Sequence, residues 1–108
     1  MNYIEDLAVR LHETSKSKGF WDGAHTHDRF MAKLNYVHEE VSEVTQAYKK
    51  AKGSYKITEE IADILIRTLD WYEAAKDAGI VEDSLSEVLY SKMETNQGRA
   101  NLHGKVVG

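Results

Sequence analysis

Three glutamates lie close together in the segment VHEEVSEV, which covers residues 37 to 44. Glu39, Glu40 and Glu43 fall within five positions, and no Lys or Arg lies within one helical turn of them. Like charges four residues apart destabilise a helix slightly, so such acids are usually scattered along its surface. Their concentration here indicates a site for a cation, and a hard divalent metal ion is the candidate.

A second pair of acids occurs in the segment EEIADILIRTLDW. Asp63 lies within a mostly apolar run, where an unpaired carboxylate would be costly or would take up a proton. Arg67, one turn later, could pair with Asp63, but Glu60 adds a second carboxylate that one arginine does not easily neutralise. If the two helices run antiparallel, Glu40 and Glu43 lie opposite Glu60 and Asp63.

Four carboxylates on two adjacent helices, with water in the remaining positions, suit Mg²⁺ or Mn²⁺, because these ions take hard oxygen ligands in octahedral geometry. Glu40 and Glu43 flank the predicted apolar stripe of their helix, whereas a purely solvated charge run would lie opposite that stripe. The alternative interpretation is an acidic surface on an ordinary helix.

The elements that position these acids are predicted to be helices, which makes the fold all-α. The chain has no proline, and its apolar residues recur at spacings of three and four. On helix two this stripe is Phe30, Leu34, Val37, Val41, Val44 and Tyr48. The first two predicted helices run from about Tyr3 to Lys16 and from about Arg29 to Lys50. The third follows Thr58 as its N-cap and ends at Ala78, with Gly79 as the stop signal. The fourth begins at a capping box that starts with Ser84 and ends near Gly98.

A lysine falls inside the apolar stripe of helix four, which consists of Leu85, Val88, Leu89 and Met93. Lys92 is followed on the same line by Asn96 and Arg99. Its side chain could snorkel, with the ammonium reaching solvent. It could instead clamp a phosphate that is also bound to the metal, since a polyanion on Mg²⁺ needs nearby Lys or Arg.

Composition limits the class of protein. With 108 residues, 42 % of them hydrophobic, the chain is the size of one domain, and we expect residues 1–108 to form it. A net charge of −4 argues against a nucleic-acid polymer or an anionic membrane as partner. Early acids and no long apolar run predict neither a signal peptide nor a membrane span. Without cysteine, the chain is compatible with a reducing compartment, and we expect a cytoplasmic location.

The acidic motifs and their surroundings resemble the MazG-like, all-α nucleoside triphosphate pyrophosphohydrolases. EEVSE followed by EIAD is similar to the paired ExxE and ExxD motifs of that family. The segments KGFW and DILIRTLDW, and a C-terminal pattern formed by Lys92, Asn96, Arg99 and HGK, are similar to its flanking segments. The resemblance covers about Lys18 to Lys105, nearly the whole chain.

This resemblance implies a four-helix subunit that forms dimers or dimers of dimers. It also implies Mg²⁺-dependent hydrolysis of (deoxy)nucleoside triphosphates to the monophosphate and pyrophosphate, a housekeeping activity on the nucleotide pool. Carried over by residue, the metal ligands are Glu40, Glu43, Glu60 and Asp63. Glu39 and Glu40 are the catalytic acids, with Glu39 as a further ligand or the group that orients the attacking water.

The remaining substrate contacts are open between two interpretations. Trp21, in the loop before helix two, could stack on a nucleobase, as could its neighbour Phe20. Both could equally hold the loop to the core. Lys33 could reach a phosphate or could be a solvated surface lysine. Asp70 is assigned to packing and subunit contact.

Two other classes of protein compete with this enzyme. His27 and Asp28 form the dipeptide of the HD-type metal phosphohydrolases, but that fold needs further ligands on well-separated helices and a longer chain. His25 and His27 could bind a transition metal but have no predicted partner. The second rival is a non-catalytic helical interaction module, in which the acids and Lys92 form structural ion pairs.

Overall fold

The helical prediction is confirmed by a computed structural model, which describes residues 3–98. This range contains four α-helices and no strand: α1 (Tyr3–Ser17), α2 (His27–Lys49), α3 (Ser54–Asp77) and α4 (Leu85–Gln97). None of these helices combines the length and the apolar character that a membrane span requires.

Two of the helices begin at side-chain caps. The Thr26 hydroxyl accepts a hydrogen bond from the Arg29 amide at 3.1 Å at the start of α2. The predicted cap of α4 is confirmed, since the Ser84 hydroxyl accepts from the Glu87 amide at 3.3 Å. Each contact satisfies an amide that has no acceptor within its own helix.

The predicted start of α3 is wrong. The helix begins four residues before Thr58, directly after Gly53, whose φ of 98° suits glycine. Thr58 lies inside the first turns and donates its hydroxyl to the Ser54 carbonyl at 2.9 Å. A threonine can satisfy its hydroxyl in this way within a helix, so its presence does not mark a cap. The predicted stop is confirmed: Gly79, with φ 77°, follows the last turn.

α3 is the central helix of the fold. It packs against both α1 and α2, while α4 lies against α1. α2 and α3 run antiparallel, because Trp71 near the end of α3 donates its Nε1 hydrogen to the Phe30 carbonyl near the start of α2, at 2.9 Å. The core lies at this end of the pair and consists of Trp21, Phe30, Ala74 and Ala75, with Phe20, Trp71 and Val81 packed around them.

Much of the predicted apolar surface is exposed in the single chain. Val41 and Tyr48 belong to the predicted apolar stripe of α2, yet they are 49 % and 76 % exposed, and Leu65 in the apolar run of α3 is 57 % exposed. α4 contains no buried residue. The expectation of burial is therefore wrong for these residues within one subunit. Helical spacing identifies an apolar face but not whether that face meets its own chain or another one.

Candidate functional site

Three predicted metal ligands meet between α2 and α3. Glu40 on α2 and the pair Glu60 and Asp63 on α3 each offer a carboxylate oxygen, and these oxygens all lie within 4.8 Å of one another. Glu60 is only 7 % exposed, and the other two are half-buried. Glu60 and Asp63 share a face because they are three residues apart on one helix. The antiparallel packing brings Glu40 opposite them. We call these residues the acidic cluster.

The other two predicted acids lie outside the acidic cluster. Glu39 and Glu43 are exposed on α2, where they line a shallow depression with His38 and Ser42. The structure therefore brings together three of the four predicted metal ligands and leaves Glu43 and Glu39 at the surface beside them.

Basic side chains already contact the acidic cluster. Arg67 donates its Nε hydrogen to Glu40 Oε2 at 3.3 Å, and Lys56 Nζ lies 3.1 Å from Glu60 Oε2. Glu40 has no basic residue within one turn of its own helix, but Arg67 reaches it across the helix interface instead of pairing with Asp63. The hydrogen bond to Glu60 and the attraction of its carboxylate raise the pKa of Lys56. Among the described residues, Asp63 makes no ion pair.

The donor set of the acidic cluster fits a hard divalent ion. Its oxygens are carboxylates, and opposite ligands of an octahedral Mg²⁺ site lie about 4.2 Å apart. The oxygens of the cluster lie within 4.8 Å of one another, which is close to that separation. The pairs with Arg67 and Lys56 compete with such an ion, because each places a positive charge on a ligand carboxylate.

Trp21 lies in the core and is only 4 % exposed. Its Nε1 hydrogen is shared between the two carboxylate oxygens of Asp70, at 3.0 and 3.1 Å. Its ring makes edge contacts with Phe20 and His12. This arrangement agrees with the interpretation in which Trp21 holds the loop to the core, and not with the one in which it stacks on a nucleobase.

Lys33 lies on α2, and its side chain contacts the loop that precedes this helix. Its ammonium donates to the Phe20 carbonyl at 2.6 Å and lies 3.4 Å from the centre of the Phe20 ring and 4.8 Å from that of Trp21. Burial, with a smaller contribution from Arg29, lowers the pKa of Lys33. Lys33 is therefore half-buried, and its ammonium is bound by the loop that precedes α2.

The predicted phosphate contacts lie on or beyond α4. Lys92 and Asn96 are exposed, and α4 packs against α1, whereas the acidic cluster lies between α2 and α3. The prediction that Lys92 points inwards does not hold within one subunit, because its neighbours Val88 and Met93 are exposed as well. Arg99 lies outside the described residues.

Sequence reasoning did not identify a buried polar link between α1 and α3. His12 Nδ1 lies 2.7 Å from Asp70 Oδ1, and both residues are buried. The other ring nitrogen of His12 lies 3.5 Å from Asp77 Oδ2. The available signal was His12 itself, a polar residue one turn after Ala8 on the apolar stripe of α1. Its partner is 58 positions away in the sequence, so helical spacing could not reveal it.

Comparisons with protein families, with curated proteins and with solved structures find no match for this chain.

Proposed function

We propose that this chain is a Mg²⁺-dependent nucleoside triphosphate pyrophosphohydrolase of the MazG-like type, with Mn²⁺ as an alternative metal. The observation that carries the proposal is the approach of Glu40 to Glu60 and Asp63, with carboxylate oxygens within 4.8 Å of one another. These residues come from the two acidic motifs on which the resemblance rests. Acidic motifs on two unrelated helix surfaces would have no reason to meet, so their convergence supports a shared role.

In this proposal the acidic cluster holds the metal, and Glu39 and Glu43 complete the site from its rim. Bound Mg²⁺ would neutralise charge on the phosphates and lower the pKa of a coordinated water. Glu39 either joins the ligands or orients the attacking water. Water adds across the anhydride bond between the α- and β-phosphates, and the products are the nucleoside monophosphate and pyrophosphate. The role is nucleotide-pool housekeeping in the cytoplasm.

The proposed enzyme is a homodimer or a dimer of dimers. Exposed large apolar residues on all four described helices support this, among them Val41, Leu65 and Leu89, since exposed apolar patches usually mark an interface. Within one subunit α4 packs on α1. Assembly is therefore the step that would bring Lys92, Asn96 and Arg99 to the phosphates of a bound nucleotide.

A specific observation favours the second candidate, a non-catalytic interaction module. The pairs Arg67–Glu40 and Lys56–Glu60 show that the acidic cluster can be neutralised by the protein itself. A module of this kind would show no Mg²⁺-dependent rise in melting temperature and would release no pyrophosphate. An enzyme would show both effects, because Mg²⁺ binding to the native state stabilises it.

The experiment that tests the proposed function is a screen of canonical and damaged ribo- and deoxyribonucleoside triphosphates with Mg²⁺, followed by identification of the products. We expect pyrophosphate and the monophosphate in equal amounts. Inorganic phosphate and the diphosphate would show that the wrong anhydride bond has been assigned. No product from any of these nucleotides would favour the interaction module.

A further inference from the structure

Arg67 lies between the acidic cluster and a separate groove. On one side its Nε hydrogen contacts Glu40 Oε2 at 3.3 Å. On the other side its guanidinium carbon lies 5.0 Å from the centre of the Phe20 ring and 5.2 Å from that of Tyr36. These distances are within the range of cation–π attraction. Arg67 therefore has two kinds of partner. One is the Glu40 carboxylate, which a bound metal would coordinate, and the other is the pair of aromatic rings, which a metal in the acidic cluster would not contact.

The groove beside Arg67 lies between α1, the following loop and α3, and its volume is about 430 Å³. Arg67 and Lys18 bring positive charge to its lining, together with the ring of Phe20. The Ser15 hydroxyl also lines it, is buried, and has no hydrogen-bond partner among the described residues. Asp70 lines it too, but its carboxylate already accepts from Trp21 and pairs with His12. Two cations and an unpaired hydroxyl are the groups that would bind a phosphate.

We propose that Arg67 is a counter-ion switch between metal binding and phosphate binding. Without metal, Arg67 neutralises Glu40. When a divalent ion binds the acidic cluster, its charge replaces that of Arg67, and the guanidinium turns into the groove while it stays against Phe20 and Tyr36. There it pairs with a phosphate of the ligand. The inference rests on the proposed function, because it takes the acidic cluster as the metal site.

Electrostatics explains why the two events are linked. A guanidinium and a divalent cation compete for the same carboxylate, and the charge of each raises the cost of placing the other there. Metal binding thus makes Arg67 available, and a phosphate that captures Arg67 removes the competitor of the metal. Such coupling is reciprocal, so each ligand strengthens the binding of the other by the same factor.

The first experiment measures Mn²⁺ affinity of the full chain by electron paramagnetic resonance, without nucleotide. Arg67→Met should bind Mn²⁺ about fivefold or more tightly than wild type, whereas Arg67→Lys, which keeps the charge, should stay close to wild type. Arg10→Met is the control, since Arg10 is exposed on α1, and its affinity should not change. Equal or weaker binding by Arg67→Met would overturn the switch and leave the metal site standing. Failure of every variant to bind Mn²⁺ would refute the metal site, and the switch with it.

The second experiment measures pyrophosphate binding by calorimetry with the metal site saturated by Mg²⁺. Arg67→Met should weaken this binding about tenfold, because it removes a charge-assisted contact. Lys56→Met also removes a cation that contacts the acidic cluster, but Lys56 does not line the groove. The pyrophosphate affinity of this variant should therefore match that of wild type. If Arg67→Met binds pyrophosphate as wild type does, the phosphate half of the switch is wrong.

A measurement on the wild-type protein avoids dependence on a variant that misfolds. The Nε–H resonance of Arg67 should move on titration with Mg²⁺, because its hydrogen bond to Glu40 is lost. A resonance that stays in place while the metal binds would show that Arg67 remains on Glu40, which contradicts the switch.

Discussion

His12 and Asp70 form a buried contact of 2.7 Å between Nδ1 and Oδ1, which joins α1 to the central helix α3. Asp70 also accepts the Trp21 Nε1 hydrogen at 3.0 Å, so one carboxylate satisfies polar groups from α1 and from the following loop. Buried polar groups that lose such a partner keep their desolvation cost without compensation. This carboxylate therefore has a structural role that is separate from the acidic cluster.

Replacement of Asp70 should destabilise the fold. Asp70→Ala leaves the buried nitrogens of His12 and Trp21 without their acceptor, and we expect a loss of about 2–4 kcal/mol in the free energy of unfolding. Urea denaturation measures this. The control is Asp77→Ala: Asp77 also contacts His12 but is largely exposed, so its loss should cost less than about 1 kcal/mol. A cost for Asp70→Ala no larger than that of the control would show that the buried contact is not important for stability.

Attachment of α4 should depend on the ionisation of Glu5. Its carboxylate accepts from the Ser84 hydroxyl and from the amide and hydroxyl of Ser86 at the start of α4. The hydrogen bond from Ser84, followed by that from the Ser86 amide, lowers the pKa of Glu5 below its usual 4.5. A lowered folded-state pKa means that the stabilisation is complete above the unfolded value and is lost as pH falls through the folded value.

The Ser86 amide resonance reports this attachment directly. It should stay constant at neutral pH and shift only below about pH 4.5, the usual value for glutamate. Glu5→Gln should show a shifted Ser86 resonance already at neutral pH and faster amide exchange in α4. If Glu5→Gln leaves the exchange of α4 unchanged, the carboxylate does not hold this helix.

Mg²⁺ should raise the melting temperature, and EDTA should reverse the rise. At a Mg²⁺ concentration one hundred times the dissociation constant, binding adds about 2.7 kcal/mol to the stability of the native state. Glu60→Gln should remove the effect, because it neutralises a ligand at nearly constant volume. Glu59→Gln is the matched control, since Glu59 is the adjacent acid but lies outside the acidic cluster. An equal Mg²⁺ effect in both variants would place the metal elsewhere.

Substitution of Lys92 tests whether this residue binds a phosphate or is an ordinary surface lysine. Its side chain is exposed, so Lys92→Met should leave stability nearly unchanged. If Lys92 contacts a phosphate in the assembled enzyme, the variant loses a charge-assisted contact of about 1.5–3 kcal/mol, and kcat/KM should fall roughly ten- to a hundredfold. Lys52→Met, at an exposed position in the α2–α3 loop, should keep wild-type kcat/KM. The clamp is refuted if the two variants are equally active.

The sequence predicted the features that depend on neighbours along a helix. The four helices, the cap at Ser84 and the stop at Gly79 follow from local propensity and from hydrogen bonding near helix ends, which act over a few residues. The meeting of Glu40 with Asp63 could also be anticipated, because a short connection between two long helices makes them antiparallel neighbours.

Features that depend on packing between distant segments could not be predicted. The pairing of Arg67 with Glu40 instead of Asp63 is decided by which helix lies opposite. The contact of His12 with Asp70 requires knowledge of how α1 crosses α3. The exposure of Leu65 shows the same limit, since an apolar stripe has one pattern whether it is buried within a chain or between chains.

Pyrophosphate release by wild type, Asp63→Asn and Glu59→Gln, each with saturating Mg²⁺ and the best nucleotide, tests the central claim most directly. Asp63 belongs to the acidic cluster and Glu59 does not, while both substitutions remove one negative charge from α3. We predict that wild type and Glu59→Gln release pyrophosphate at similar rates. Asp63→Asn should keep its helical content but less than about a tenth of the wild-type rate, which corresponds to a rise of at least ~1.4 kcal/mol in the activation barrier. Wild-type turnover in Asp63→Asn would contradict the assignment of the acidic cluster as the catalytic metal site.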